Sequence, residues 1–166
     1  TFYKAGIQVK IVTGDNAATT TTIANQIDFR NTYQTLNGDE LMTMDDATLK
    51  TKVMETSIFT RMFPEAKLKI IKALKDNNQI VAMTGDGVND GPALKSAHIG
   101  IAMGKKGTEI AKEAANLILI DDDFSKMVDA IAMGRKIYLN LKKAIQYIIS
   151  IHIPIILIVF IPLALG

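Results

Sequence analysis

The chain has 166 residues, enough for one domain with a hydrophobic core, and its 19 lysines and arginines nearly balance 17 acidic residues. That balance gives no electrostatic case for a nucleic-acid partner, and the lack of cysteine excludes disulfide frameworks and thiolate zinc sites. Nothing at the N-terminus resembles a signal peptide; "TFYKAGIQVK" reads as the middle of a domain, so a piece of a longer protein is expected.

In chain order, "IQVKIV" (7–12) predicts a strand, followed by a helix over 16–27 with Ala17, Thr20, Ala24 and Ile27 near one face. The β-branched "TTTT" run works against that helix. Residues 28–57 are polar: "TLNGDEL" reads as a turn opening a short helix, and "DDATLKTKVM" as another, with Asp45 or Asp46 near its start. "SIFTR" predicts a second strand. "PEAKLKIIKALK" predicts a helix with Pro64 first, Glu65 in the first turn and lysines late. "QIVAM" then gives a strand, "TGDGVND" a loop, "GPALKSA" a short helix, "HIGIAM" a strand, "GTEIAKEAAN" a helix and "LILI" a buried strand ending at Asp121-Asp122-Asp123. Strands alternating with helices imply βαβ units and a parallel sheet covered on both faces.

From Phe124 onward one long helix is expected. Its part from Ala144 to Leu165 runs 22 residues without Lys, Arg, Asp or Glu. As a helix it spans about 33 Å, the thickness of bilayer hydrocarbon. Arg135, Lys136, Lys142 and Lys143 precede it, with Lys126 further back and Asp129 opposing; such a basic flank favours the cytoplasmic side. The expected organisation is an α/β domain over 1–123, a stalk helix over 124–143 and a transmembrane helix over 144–166.

Two strands end in the same tripeptide, Thr13-Gly14-Asp15 and Thr84-Gly85-Asp86. In open parallel sheets, ligands bind beyond the carboxyl ends of the strands. There a Thr hydroxyl can donate to a phosphoryl oxygen, Gly lets an anion approach the backbone, and Asp supplies a hard oxygen for Mg²⁺. Asp86 and Asp90, with Gly85 and Gly87 nearby, can serve one metal directly or through water, and Asn89 can bond phosphate. Lys67 can neutralise phosphoryl charge. Alone, a Thr-Gly-Asp is a strand exit and Lys67 a solvated helix lysine; the "GDGVND" loop is the more specific signal. His98 and His152 read as structural, and Asp121-Asp122-Asp123 as a solvated turn capping the next helix. No acid has a clear claim to be a phosphoryl-transfer nucleophile.

"MTGDGVNDGPALKSAHIGIAMG" resembles the hinge and Mg²⁺-binding segment of P-type cation-transporting ATPases, which belong to the haloacid-dehalogenase-like phosphotransferases. "VKIVTGDNAATTTTIANQI", "IFTRMFPEAKLKIIKALK" and "DDDFSKMVDAIAMGRKIYLNLKKAIQYIIS" resemble, in order, its upstream TGD segment, its Arg-x-x-Pro-x-x-Lys segment and the stalk entering the fifth transmembrane helix. The class resembled is closest to calcium pumps. The resemblance implies a haloacid-dehalogenase-like three-layer fold, ATP as substrate, Mg²⁺ as cofactor and a transported cation, with Ca²⁺ a candidate. Further partners implied are the lipid bilayer and the remaining domains of the pump, with the α/β domain in the cytoplasm. Thr13 would hydrogen-bond the phosphoryl group while Gly14 and Asp15 shape the nucleotide side. Arg61 would lie near the nucleotide, Lys67 would neutralise the acyl phosphate, Asp86 would ligate Mg²⁺, Asp90 would support that site and Asn89 would contact phosphate.

The family's nucleophile, the Asp of an Asp-Lys-Thr-Gly-Thr segment, has no counterpart here and is expected upstream of Thr1. Gly91 stands where the family usually has Ala. His152 and Ile155 stand where calcium pumps carry Asn and Glu ion ligands, which leaves the ion open. Pro154 and Pro162 free the carbonyls of Ser150 and Ile158, so Ser150 and His152 are expected to line either an ion path or a helix contact. Two other readings remain: a membrane-anchored phosphatase of the same superfamily, marked by an upstream Asp-x-Asp, and a non-catalytic, truncated interaction module.

Overall fold

The computed structural model describes residues 2–165. The chain separates into two compact units, one ending at Asp123 and one beginning at Phe124.

The first unit is built on six parallel strands in two three-stranded sheets. One sheet has the order β1 (Ile11–Val12), β3 (Ile58–Thr60), β2 (Thr35–Asn37), with Ile11 opposite Ile58 and Leu36 opposite Phe59. The other has the order β4 (Ala82–Gly85), β5 (Ile99–Met103), β6 (Leu117–Leu119), with Met83 opposite Gly100 and Ala102 opposite Ile118. Helices α1 (Ala17–Gln26), α2 (Gly38–Thr43), α3 (Asp46–Glu55), α4 (Pro64–Asp76), α5 (Gly91–Ser96) and α6 (Glu109–Ala114) make the connections. Parallel strands require such crossovers, so the α/β expectation holds.

Local chemistry sets the helix ends. Asn16 accepts from Thr19 N at 2.9 Å to start α1, and Asp45 accepts from Thr48 N at 2.8 Å to start α3. Helix α4 opens on Pro64, whose missing N–H would be unpaired there anyway. It stops where Asn78 turns left-handed at φ 57. The Asn77 side chain donates to Ala73 O and Lys50 O at 3.0 and 2.8 Å, tying the end of α4 to the middle of α3. Ala66, Ile70, Ile71, Ala73 and Leu74 form the buried face of α4, against a core in which Phe59, Leu41, Ile58, Ile70, Leu94 and Val53 are fully buried. Each such large apolar side chain contributes roughly 1.5–3 kcal/mol by burial.

Several expectations change. Strand β1 is only Ile11–Val12, because pairing begins where Ile11 meets Ile58. Strand β2 was not expected: it is polar, and Leu36 is its one buried residue. Strand β4 starts at Ala82 and runs through Thr84 and Gly85, since Val81 N–H is taken by His98 Nδ1 at 3.1 Å and Val81 O by His98 N and Ile99 N. His98 is thus structural, as expected. The "LILI" strand is buried only at Leu119: Leu117 and Ile118 are 39% and 44% exposed, and β6 is an edge bonded to β5 alone. An apolar run cannot by itself tell a strand covered on both faces from such an edge.

The second unit is one helix, α7 (Ser125–Leu165), 41 residues with Pro154 and Pro162 inside it. At 1.5 Å per residue it is about 60 Å long. It is long and apolar enough to cross a membrane. His152 Nδ1 lies 2.8 Å from the Ile148 carbonyl, one turn back.

Candidate functional site

The site lies at the carboxyl ends of β1 and β4, built from three short segments. In the first, Thr13 N donates to Phe59 O at 2.9 Å, continuing the β1–β3 ladder one residue past the strand. The Thr13 hydroxyl then folds back on its own turn: Oγ1 accepts from Asp15 N at 3.1 Å and donates to Asp15 Oδ2 at 3.2 Å. A hydroxyl has one proton to give, so a phosphoryl oxygen at Thr13 would compete with Asp15 for it. Gly14 and Asp15 are exposed.

The second segment bridges the two Thr-Gly-Asp turns. Arg61 N donates to Asp15 O and Met62 N to Thr13 O, both at 2.9 Å. This requires Arg61 to adopt a left-handed φ of 51, a conformation that L-residues take at some cost. Its side chain is exposed. Pro64 then opens α4, whose first turn carries Lys67 across to the loop that follows the second triplet. Lys67 Nζ donates to Asp90 Oδ1 at 2.7 Å, with 13% and 11% of the two side chains exposed.

The third segment is the turn after β4. Asp90 is buried, and its second oxygen, Oδ2, accepts from Gly87 N at 3.2 Å. The close packing explains Gly85: a Cβ there would lie 2.5 Å from Asp90 Cβ. Asp86 and Asn89 are exposed at the rim, and the Asp86 carbonyl accepts from Thr108 N at 2.8 Å.

Of the residues singled out in the sequence, the structure joins Asp15 to Arg61 and Thr13 to the neighbouring Met62 through backbone bonds, with Gly14 between them, and Lys67 to Asp90 through an ion pair. Both oxygens of Asp90 are engaged by the protein, leaving Asp86 the open carboxylate of the loop. Among the described residues no cluster of three or more His, Asp or Glu side chains gathers that could hold a metal. The donor set still fits Mg²⁺, which takes one or two carboxylates and fills its octahedron with water and substrate phosphate oxygens.

The backbone bridge at Arg61 and Met62 and the Thr108–Asp86 bond escaped the sequence reading. A threonine three residues before Ala111, whose N–H it accepts at 3.3 Å, carries only a helix-cap signal. A cavity of about 190 Å³ lined by Tyr3, Lys10, Arg30, Met54 and Ser57, among others, lies before β1 and β3 at the opposite end of the sheet. Ligands of parallel sheets bind at the carboxyl end, so the cavity is not the site.

Residues 2–98 match the hydrolase family described as haloacid dehalogenase-like hydrolase. The chain is 46% identical over 151 residues to calcium-transporting ATPase type 2C member 2 of Homo sapiens, covering 90% of this chain and 16% of that protein. It is 43% identical over 164 residues to calcium-transporting ATPase 1 of Bacillus cereus, covering 98% and 18%. It therefore spans about a sixth of the length of these relatives. Among solved structures, the catalytic domain of the CPx-ATPase CopB-B superposes with a TM-score of 0.59 at 26% identity, covering 78% of this chain and 41% of that one. A zinc-transporting PIB-type ATPase in the E2.Pi state does so with a TM-score of 0.60 at 29% identity, covering 81% and 17%. The parallel strands, the paired Thr-Gly-Asp turns and the match over residues 2–98 together say that the chain belongs to the haloacid dehalogenase-like hydrolases.

Proposed function

We propose that this chain is the Mg²⁺- and phosphate-binding half of the phosphorylation domain of an ATP-driven cation pump, together with the membrane helix that follows it. The observation that carries the reading is the Arg61–Lys67 segment. Its backbone bonds to the Thr13–Asp15 turn while Lys67 pairs with Asp90 beside Asp86, so one short stretch ties two phosphate-type turns into one pocket.

In this reading Lys67 supplies the positive charge against a phosphoryl group, and Asp90 keeps its ammonium aimed and ordered. Thr13 offers its hydroxyl proton to a phosphoryl oxygen in exchange for Asp15, and Asn89 contributes an amide donor. Gly14, Asp15 and the exposed Arg61 form the nucleotide side. Asp86, supported by Asp90, would hold Mg²⁺, which would supply positive charge against the phosphate oxygens. Such pre-positioned charges are usually the largest electrostatic contribution to phosphoryl transfer.

The chain contains no Asp-Lys-Thr-Gly-Thr segment. Strands β1 and β4 each have a single bonded neighbour, which leaves each with a free edge. One further parallel strand between those edges would join the sheets and bring a carboxylate nucleophile to their carboxyl end. Helix α7 enters the bilayer from the cytoplasmic side, given its basic flank, and couples the domain to cation movement. The calcium-transporting relatives make Ca²⁺ the first ion to test in uptake assays.

The reading is tested by exposing the full-length protein to γ-labelled ATP and Mg²⁺. The expected product is a hydroxylamine-sensitive acyl phosphate, and Lys67→Ala and Asp86→Asn should each reduce its formation by roughly 10²–10³-fold. A label that resists hydroxylamine, or none, rejects the proposal.

A further inference from the structure

The loop between β5 and α6, "GKKGT" at 104–108, is held at both ends by groups distant in sequence. At its start Gly104 N donates to Leu119 O at 2.8 Å, and the Asp122 carboxylate accepts from Lys105 N and Lys106 N, each at 3.0 Å. At its end Thr108 N donates to the carbonyl of Asp86 at 2.8 Å. Between them the loop is tight: a Cβ on Gly107 would fall 2.0 Å from Met103 O, and one on Gly104 2.7 Å from Leu119 O. The loop is thus anchored at both ends and closely packed between them.

Asp122 is shaped for this clamp. Its φ of 57 is left-handed, which Asp and Asn tolerate better than other side chains. Each oxygen takes one backbone N–H, the pattern expected of an anion bound by successive amides. Desolvation pushes the carboxyl up, but the N–H groups of Lys105, Lys106 and Gly104 pull it further down, so the net position is below the usual carboxylate range. Asp122 therefore faces the loop before it, a different job from the helix cap expected for the Asp121–Asp123 run.

We propose that Asp122 is a positioning residue for Asp86: by clamping the β5–α6 loop it fixes Thr108, whose N–H sets the backbone from which Asp86 reaches its metal. The inference rests on the metal-holding role proposed for Asp86.

The test uses Asp122→Asn and Asp122→Gly in the full-length protein, because both residues accept the left-handed backbone. Asn keeps one acceptor oxygen and Gly keeps none. The half-saturating Mg²⁺ concentration for ATP turnover should rise about 3-fold in the Asn variant and about 10-fold in the Gly variant, the low end for residues acting behind a metal ligand. The KM for ATP at saturating Mg²⁺ should stay within about 2-fold, since the clamp touches neither Thr13 nor Lys67. Amide exchange should accelerate at Lys105, Lys106 and Thr108 in the same order. Faster exchange with an unchanged Mg²⁺ requirement overturns the proposal, as does unchanged exchange in Asp122→Gly. If wild-type turnover needs no Mg²⁺, the metal role of Asp86 fails instead. Exchange at Asp86–Asn89 then decides the coupling alone: protection equal to wild type in Asp122→Gly overturns it, and its loss upholds it. Should Asp122→Gly fail to fold, Asp122→Asn carries both readouts.

Discussion

Gly85 and Gly91 flank the same loop, yet the packing around them sets opposite expectations. At Gly85 a Cβ would sit 2.5 Å from Asp90 Cβ and 2.8 Å from its carboxyl carbon. Gly85→Ala must push Asp90 away from Lys67, with side chains that are only 13% and 11% exposed. Breaking a largely buried ion pair leaves charges without compensation, at a cost of about 3 kcal/mol. At Gly91 the nearest atom to a new Cβ is Ile110 Cγ2, at an ordinary 3.6 Å, and the backbone is already right-handed helical, with φ −47. Gly91→Ala there should stabilise by about 0.4–1 kcal/mol, mainly by reducing the freedom of the unfolded chain. Urea unfolding of the two variants should move the midpoint in opposite directions. A midpoint that rises for Gly85→Ala would show that the Lys67–Asp90 pair does not depend on the close approach of Gly85.

At the scale of elements, α7 poses the clearest question of environment. Met133 and Val159 are 64% and 65% exposed, so exposure by itself does not distinguish them. The bilayer reading does: Met133 lies before the uncharged run that starts at Ala144, and Val159 lies inside it. The chain has no cysteine, which permits a clean labelling experiment. With the chain in lipid vesicles, Met133→Cys should react readily with a charged, water-soluble maleimide, and Val159→Cys should react at least about 10-fold more slowly. Burying a charge in hydrocarbon is costly, and a thiol there is out of the reagent's reach. Equal rates at the two positions would mean that α7 does not span. The interior prolines do not contradict a span, because membrane helices tolerate freed carbonyls where neighbouring groups or water satisfy them.

Over the whole molecule, what the sequence revealed tracks how local the determining physics is. Helices α1, α3 and α4 were legible because Asn16, Asp45 and Pro64 set their starts. Of the α1 face expected at Ala17, Thr20, Ala24 and Ile27, however, only Thr20 and Ala24 are buried, and Ile27, just past the helix, is exposed. The two Thr-Gly-Asp turns were legible as strand exits. The 61–62 bridge was not, because it depends on a left-handed Arg61 that no residue preference announces. Nor was the Asp122 clamp, since its partners lie 16 and 17 residues away. The exposure of β6 depends on what covers that sheet, which an apolar tetrapeptide does not encode.

The same reasoning gives the last prediction. Ala82 in β4 and Ile80 just before it, and Leu117 and Ile118 in β6 and Ile120 just after it, are exposed, and β1 and β4 each carry a free edge among the described residues. Unpaired strand edges and bare apolar strands are sites that further chain can cover. The 166-residue polypeptide also has no Asp-Lys-Thr-Gly-Thr segment to carry a phosphoryl group. Purified by itself, it should therefore take no acid-stable, hydroxylamine-sensitive label from ATP, even with Mg²⁺. Its outward-facing β1 and β4 amides should exchange quickly. Extending it with a strand that ends in Asp-Lys-Thr-Gly-Thr should slow that exchange, if the strand pairs between the two sheets, and should restore labelling on the added Asp. Labelling of the unextended chain would show that one of its own carboxylates can act as nucleophile, and Asp86 would be the first to substitute. Labelling without protection of the β1 and β4 amides would place the added strand elsewhere. The two readouts thus separate the chemistry of the site from the architecture that completes it.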